Sequence, residues 1–283
     1  MLQLEEKPAP PARVVSEWSG PAREQAVQRM FTAIAGVYDL NNTLLSFGLH
    51  HRWKRQMVDY VMAPLAGACG VRSGDPSRTP LGQDLTAKEA SGGAEPRYVL
   101  DVGAGTADLA LLIEPRMGPT GCVVASDLNH AMLVEGLKKI LRRGRDRRIT
   151  CLEANAERLG FADEAFDAVT TGFCMRNVGD LQRAMLEIRR VLKPGGRFVC
   201  LEFSRPVYGW LRALYDWYSF RLLPWIGTVV ARDKTGVYEY LPASIRTFPN
   251  QEGLKAMLLK AGFSQVDYRN LSGGIVAIHV AIK

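Results

Sequence analysis

From Arg97 onward, short apolar runs alternate with longer stretches in which apolar residues recur every three or four positions. The runs YVLDV, CVVAS, ITCLEA, FDAVTTGF and GRFVCLEF have the length and residue types of strands. Between most of them lie helix-period stretches, notably LNHAMLVEGLKKILRR and LQRAMLEIRRVLK. This alternation predicts a parallel sheet with helices on both faces. The second of these helices runs into Lys-Pro-Gly-Gly, where Pro194 is expected to stop the helix and Gly195 and Gly196 to reverse the chain into the fifth strand. Further on, PVYGWLRALYDWYSFRLLPWIGTVV reads as helical and aromatic-rich, and NQEGLKAMLLKAGF as an amphipathic helix. SQVDYRNL and IVAIHVAI, joined by SGG, read as a hairpin that closes the sheet.

Upstream, Pro21 to Ala63 also carries the helical period. Residues 67–96 break all periodicity with Gly, Pro, Ser and polar residues, which predicts a long flexible surface insertion. Residues 1–20, rich in Pro, Ala and charge, read as a disordered tail. The expectation is one domain over 21–283: an N-terminal helical cap (21–66), the insertion (67–96), a core (97–205), and closing helices and strands (206–283).

Composition changes this picture little. The 283 residues are 47% hydrophobic and 23% charged, ordinary for a globular protein with a sizeable core. Charge is mildly basic, 36 Lys and Arg against 29 Asp and Glu, with part of the excess in RRGRDRR (Arg142 to Arg148). Such a run is a solvated face or an attraction toward an anionic surface. The basic runs lack interleaved base-stacking aromatics, so a nucleic-acid partner is not expected. Cys69, Cys122, Cys151, Cys174 and Cys200 are odd in number and form no C-x-x-C pair. They read as reduced, buried thiols of a cytoplasmic protein, with no metal site. The N-terminus does not read as a secretory signal, and no apolar run is long enough to span a bilayer.

The chemistry starts at YVLDVGAGTADLALLI (Tyr98 to Ile113). Gly103 and Gly105 follow the first strand, allowing a tight turn and close approach of a ligand to the backbone. A helix is expected from Thr106, with its N-terminus favouring negative groups. The third glycine of the dinucleotide fingerprint is absent, so the turn alone is weak evidence. Asp127, 22 residues past Gly105 at the end of the second strand, strengthens it. A carboxylate there can accept both hydroxyls of a ribose, and so points to a nucleoside-containing cofactor. It could also cap the following helix, a role compatible with the first. NAD and S-adenosylmethionine both satisfy these features. Asn155 and Ala156 after the third strand, suited to reading an adenine edge, favour the latter, as do the acidic turn in RLGFADEAFDAV and the Lys-Pro-Gly-Gly turn.

The chain resembles the class I methyltransferases, and more narrowly the quinone C-methyltransferases of menaquinone and ubiquinone synthesis. The likeness rests on FTAIAGVYDLNNTLLSFGLHHRWK, ANAERLGF, MRNVGDLQRAMLEIRRVLKPGGRFVCLEFSRP, YSFRLLPWIG, YEYLPASIRTFP and AGFSQVDYRNLSGGIVAIHVAIK, from about Met30 to Lys283. RNVGD together with LEFSRP is far more specific than the glycine turn. The resemblance implies a Rossmann-like α/β fold: a seven-stranded, mostly parallel sheet with a C-terminal antiparallel hairpin and an N-terminal helical cap. It also implies S-adenosylmethionine as methyl donor. Gly103, Gly105, Thr106, Asp127, Asn155, Ala156 and Gly172 are then the cofactor-binding residues. Two departures stand out: Ala107 where many members have glycine, and Gly172 where many have serine.

The implied reaction is methyl transfer to a ring carbon of a reduced, polyprenylated quinol, with demethylmenaquinol first and 2-polyprenyl-6-methoxy-1,4-benzoquinol, or both, as the alternative. A methyltransferase acting on another lipid or small metabolite, and an NAD-dependent oxidoreductase, remain rivals. An ionised quinol hydroxyl pushes charge onto its ortho carbon, so the enzyme must align the reactants and favour the phenolate. Arg176 is the candidate cation for this task, or else half of a structural ion pair. His50 is a candidate base, or with His51 an exposed helix-start residue. Tyr38 and Asp39 are expected in the cap over the cofactor. Asn177, Tyr238 and Tyr240 are candidate substrate contacts, although the tyrosines are equally suited to packing the core. Tyr208 to Trp225 holds seven aromatic residues, broken by Arg212, Asp216 and Arg221. That pattern predicts a peripheral, reversible membrane contact, and hence a cytoplasmic enzyme at the inner face of the cell membrane. The oligomeric state is left open, a homodimer included.

Overall fold

The computed structural model describes residues 20–63, 97–222 and 236–283. Residues 1–19 of the expected 1–20 tail, the expected insertion over 67–96, Cys69 and Trp225 lie outside the described residues, and Gly20 already begins a helix. Strands are β1 (Tyr98–Val102), β2 (Cys122–Asp127), β3 (Ile149–Glu153), β4 (Phe166–Gly172), β5 (Leu192–Phe203), β6 (Gln265–Leu271) and β7 (Val276–Ile282). They form one sheet in the order β3-β2-β1-β4-β5-β7-β6. The first five are parallel, and β7 pairs antiparallel with both β5 and β6. The chain winds outward from β1 through β2 to β3, then returns to β4 on the other side of β1. Strand order therefore reverses at the carboxyl ends of β1 and β4, where an open α/β sheet offers its ligand crevice.

Before β1 come α1 (Gly20–Ile34), α2 (Tyr38–Leu45) and α3 (Leu49–Met62), the helical cap. The sheet helices are α4 (Asp108–Ile113), α5 (His130–Arg142), α6 (Leu181–Val191), α7 (Gly209–Trp217), α8 (Val237–Thr247) and α9 (Gln251–Lys260). One core gathers α3 residues such as Met57 and Val61 and α4 residues such as Ile113 against Val99, Val123 and Ile278. The other gathers Met185 and Ile188 of α6 and Leu258 of α9 against Leu100, Val169 and Phe198. Burial on both faces explains why the strands read as apolar runs instead of alternating patterns.

Three expectations need correction. Helix α6 ends at Val191, and Leu192 already pairs with Phe166 in β5. The next partners are Arg197 and Ala168, so Lys193 to Gly196 form an irregularity inside β5 instead of a turn before it. Leu192 is fully buried, which anchors the strand early, and Gly195 takes φ +73 to let the extra residues loop out. Helix α4 begins at Asp108, not Thr106, because Ala107 is left-handed at φ 61. Of the strand cysteines only Cys200 is buried; Cys122 starts its strand, Cys151 lies on the edge strand β3, and both are partly exposed.

The Ala107 conformation yields a prediction. A left-handed alanine costs roughly 1–2 kcal/mol, while its fully buried methyl contributes roughly 0.8 kcal/mol. Ala107→Gly therefore shifts unfolding free energy by less than about 1 kcal/mol, toward stability if at all. Denaturant unfolding at constant m checks this.

Candidate active site

The cleft at the strand-order reversal is lined by the glycine turn, β2's end, the loop after β3 and the cap. Gly103, Gly105, Asp127, Asn155, Ala156 and Gly172 all border it. Asp127 organises the turn: the Gly105 N–H donates to its Oδ2 and the Asn129 N–H to its Oδ1, each at 2.8 Å. Burial pushes its carboxyl up in pKa, opposed by these N–H donors. Asn129, not Asp127, caps α5, accepting from the Met132 N–H at 3.1 Å, while its Nδ2 holds Gln28 and Thr32 of α1. Asp127 is thereby left with lone pairs facing the cleft, as a ribose site requires. Asn155 Oδ1 accepts from the Glu157 N–H at 2.8 Å, which leaves the amide Nδ2 without a partner among the described residues.

The residues present fit a nucleoside cofactor. Gly103 has φ +66, and a Cβ there would overlap the Cys174 side chain. The turn is thus as close to β4's end as backbone can come. Gly172 has a local reason as well: a Cβ would sit 2.6 Å from Leu109 Cδ1, so Leu109 fills the space a serine would need.

Thr106 is buried behind the turn, and its hydroxyl does not border the cleft. It donates to Asp39 Oδ1 at 2.7 Å and accepts from Lys139 Nζ at 2.8 Å. Lys139 also pairs with Asp39 (2.7 Å) and with Asp108, and Lys54 of α3 pairs with Asp108 at 2.8 Å. Burial alone would raise the Asp108 pKa, but the two lysines outweigh it and hold the carboxyl well below its usual range. This network, which sequence spacing did not signal, ties α2 and α3 of the cap to the glycine turn. Tyr38 borders the cleft from α2; burial raises its pKa, against Asn42 and Arg176, which lower it.

A second, largely apolar cavity of about 350 Å³ opens between the cap and α7. Trp53, Phe173, Phe203, Leu214 and Tyr218 are among its walls, and His50 and Arg176 are on it. Phe173 lines both this cavity and the cofactor cleft, so the two meet beyond β4. Phe173 itself is left-handed at φ 60, an outlier for a bulky residue, held by its N–H to Leu201 O at 2.8 Å and by ring contacts with Trp53 and Phe203. Nothing in a single sequence marks it.

Arg176 is 8% exposed. Its Nη1 donates to Glu202 Oε1 at 2.7 Å and to Phe173 O at 2.6 Å, and its guanidinium lies 5.3 Å from the Phe203 ring centroid. Its Nε is buried without a partner among the described residues. The structural ion pair and the cavity position therefore coexist. The pair is neutral overall; Nη2, which has no hydrogen-bond partner among the described residues and is not sealed from solvent, is the N–H group it can offer the cavity.

His50 is buried, and the adjoining His51 is exposed. Burial, then Lys54 and His51, push the His50 pKa down to about 4, so its ring is neutral at pH 7. Tyr238 and Tyr240 are buried, and neither lines the cavity. The Tyr240 hydroxyl donates to Asn177 Oδ1 at 3.0 Å, and Asn177 borders the cofactor cleft.

Around the cavity mouth, apolar side chains face solvent. Leu40 (59%), Leu44 and Phe47 (79%) come from α2 and the turn after it; Trp210 (70%), Leu214 and Trp217 come from α7. The two rows are joined where Tyr218 donates to Leu45 O at 3.1 Å and its ring meets Phe47. Among the described residues, no helix is long and apolar enough to cross a membrane, and no cluster of three or more His, Cys, Asp or Glu could hold a metal ion.

Comparison with known proteins agrees with this architecture. A SAM-dependent methyltransferase from Thermotoga maritima superposes with a TM-score of 0.56 at 17% identity, covering 90% of this chain and 98% of that one, which shows the shared fold. The ubiquinone/menaquinone biosynthesis C-methyltransferases UbiE of Legionella pneumophila (strain Paris) and Idiomarina loihiensis are each 41% identical over 92% of this chain and 92% of their own. The model of the ubiE/COQ5 methyltransferase family matches residues 20–74 and 80–283. With that match and those identities spanning cap, glycine turn and closing hairpin alike, the chain belongs to the ubiE/COQ5 methyltransferase family.

Proposed function

We propose that this enzyme C-methylates demethylmenaquinol to menaquinol, the last step of menaquinone formation. The observation that carries the reading is the apolar cavity joined to the cofactor cleft at Phe173, with Arg176 and His50 on its wall. S-adenosylmethionine, when bound, supplies an electrophilic methyl group on a sulfonium. Asp127 would hold the ribose hydroxyls, Gly103 and Gly105 would let the donor approach backbone, and Asn155 and Ala156 would contact the adenine. The cap, tied down by Asp39, Lys139 and Asp108, would shield the junction from water once both ligands are bound.

The chain's task is to orient a quinol and stabilise charge on its oxygen. A guanidinium N–H of Arg176, which lines the cavity, suits a developing phenolate. Neutral His50 suits a hydroxyl as acceptor. Overall a ring C–H becomes C–CH₃, the donor's methyl–sulfur bond breaks with its electron pair staying on sulfur, and one proton is released. No oxidant or reductant is consumed, and the ring must arrive reduced because only the electron-rich quinol has a carbon able to attack the methyl group.

The relatives' names cover both quinone pathways, which favours the benzoquinol as the second reading. Methyl transfer from labelled S-adenosylmethionine to each reduced ring separates them. Label in the naphthoquinol product alone supports the menaquinone step, label in both gives a dual enzyme, and label in the benzoquinol alone overturns the first reading.

A polyprenyl tail keeps the substrate in a bilayer, and the solvent-facing apolar rows at the cavity mouth suit contact with its surface. Trp210 and Leu40 do not line the cavity. Inserting a tryptophan side chain contributes roughly 1.5–3 kcal/mol. Trp210→Asp with Leu40→Asp should therefore lower vesicle co-sedimentation by at least about tenfold while turnover of a short-tailed quinol is kept. Unchanged sedimentation excludes this face. Contact at the inner face of the cell membrane, as a cytoplasmic enzyme, follows from the same reading.

A further inference from the structure

Ser46 sits in the turn between α2 and α3, one helical turn before His50. Its Oγ is 2.6 Å from Asn42 O and 2.8 Å from His50 Nδ1. A serine hydroxyl has one hydrogen to give. Asn42 O is a carbonyl and can only accept, and two oxygens 2.6 Å apart repel unless a proton lies between them. The Ser46 proton therefore goes to Asn42 O. Ser46 Oγ is left as an acceptor, and the His50 backbone N–H also donates to it at 3.3 Å. Nδ1 must then be the donor of the 2.8 Å bond, so it carries the hydrogen of the neutral ring.

The other nitrogen is the one left free. His50 Nε2 has no hydrogen-bond partner among the described residues and is not sealed from solvent, and the ring lines the apolar cavity together with Arg176. Charged or titratable groups around the ring are Lys54 and His51 on its own helix, and Asp39 and Asp108 from α2 and α4. Burial dominates, with Lys54 and His51 acting the same way, so the ring stays neutral and the tautomer matters.

We infer that Ser46 is a positioning residue: it fixes His50 as the Nδ1–H tautomer and so presents Nε2 as the acceptor for a hydroxyl of the ring bound in the cavity. Free neutral imidazole places its proton by local hydrogen bonding, and the partner of one nitrogen decides what the other can do. With Nε2 accepting its hydrogen bond, the hydroxyl is held in one orientation, and an oxygen lone pair is aligned to push charge onto the ring carbon to be methylated. The role of Nε2 rests on the quinol reading of the cavity; the tautomer does not.

Long-range ¹H–¹⁵N correlation on the full chain with ¹⁵N-labelled histidine tests the tautomer, since there are only four histidines and His50→Gln identifies the signal. At pH 7.5 the wild type should show a protonated Nδ1 and a bare Nε2 on His50. Ser46→Ala should lose that preference and lower kcat for the quinol by about 5- to 30-fold with KM nearly unchanged, the scale of one misplaced hydrogen bond. Ser46→Thr, which keeps the hydroxyl, should restore both readouts. A wild-type His50 protonated on Nε2 overturns the proposal, as does a Ser46→Ala enzyme with unchanged tautomer or with undiminished kcat. If the wild type shows the tautomer but methylates no quinol, the substrate reading fails and the role of Nε2 falls with it.

Discussion

Arg176→Ala loses stability as well as turnover, and the two losses separate. Removing the guanidinium strands Glu202, which is 1% exposed, as an uncompensated buried charge. Breaking such a pair costs about 3–5 kcal/mol, enough to threaten folding of a domain whose total stability is about 5–15 kcal/mol. Arg176→Met with Glu202→Gln removes both charges, while the glutamine still accepts from the Phe203 N–H that Glu202 holds at 2.9 Å. The double variant should recover most of the unfolding free energy. Its kcat should still fall by about 10²–10³, the usual loss of a donor aimed at developing oxyanion charge. Thermal unfolding and single-turnover methyl transfer on the same samples read the two quantities. Recovered stability with recovered turnover would make Arg176 purely structural.

Gly103→Ala abolishes cofactor binding. The residue has φ +66, and its Cβ would meet both Sγ and Cβ of Cys174, which lies next to the cofactor cleft. The left-handed alanine costs roughly 1–2 kcal/mol, and overpacking a further 1–3 kcal/mol or so. Relief is available by moving the turn away from β4, which disturbs the Gly105 N–H to Asp127 bond and the ribose site proposed there. Affinity for S-adenosylhomocysteine, by calorimetry, should drop at least about 100-fold, matching roughly 3 kcal/mol. Adding Cys174→Gly removes the clashing atoms but not the φ penalty, so it should recover part of that loss. Full affinity in the single variant would show that the turn does not approach the ligand.

How much of this was legible in the sequence differs by feature. Asp127 and the glycines stood out because one turn and one strand end specify them by local spacing, and the closing hairpin because SGG separates two apolar runs. The fit of Lys193 to Gly196 inside β5 was not legible: whether Pro-Gly-Gly precedes a strand or interrupts it depends on Leu192 finding Phe166 across the sheet. The family resemblance places Thr106 among the cofactor contacts, and its hydroxyl is engaged by Asp39 and Lys139, 67 and 33 residues away, partners that no local spacing reports. The apolar cavity draws its walls from residues as distant as Asn42 and Ile275. No periodicity reports that. The left-handed Phe173 is likewise set by three-dimensional neighbours, and the Ser46–His50 bond, although local, depends on the conformation of the turn between α2 and α3.

The most direct test compares one ring in its two redox states. Single-turnover transfer of labelled methyl from S-adenosylmethionine is measured with a short-tailed naphthoquinol and with the same compound oxidised, under anaerobic conditions. A phenolate-driven reaction at Arg176 predicts label in the quinol and none above background in the quinone. Equal labelling of both forms would contradict it, because an electron-poor ring has no carbon able to attack the methyl group.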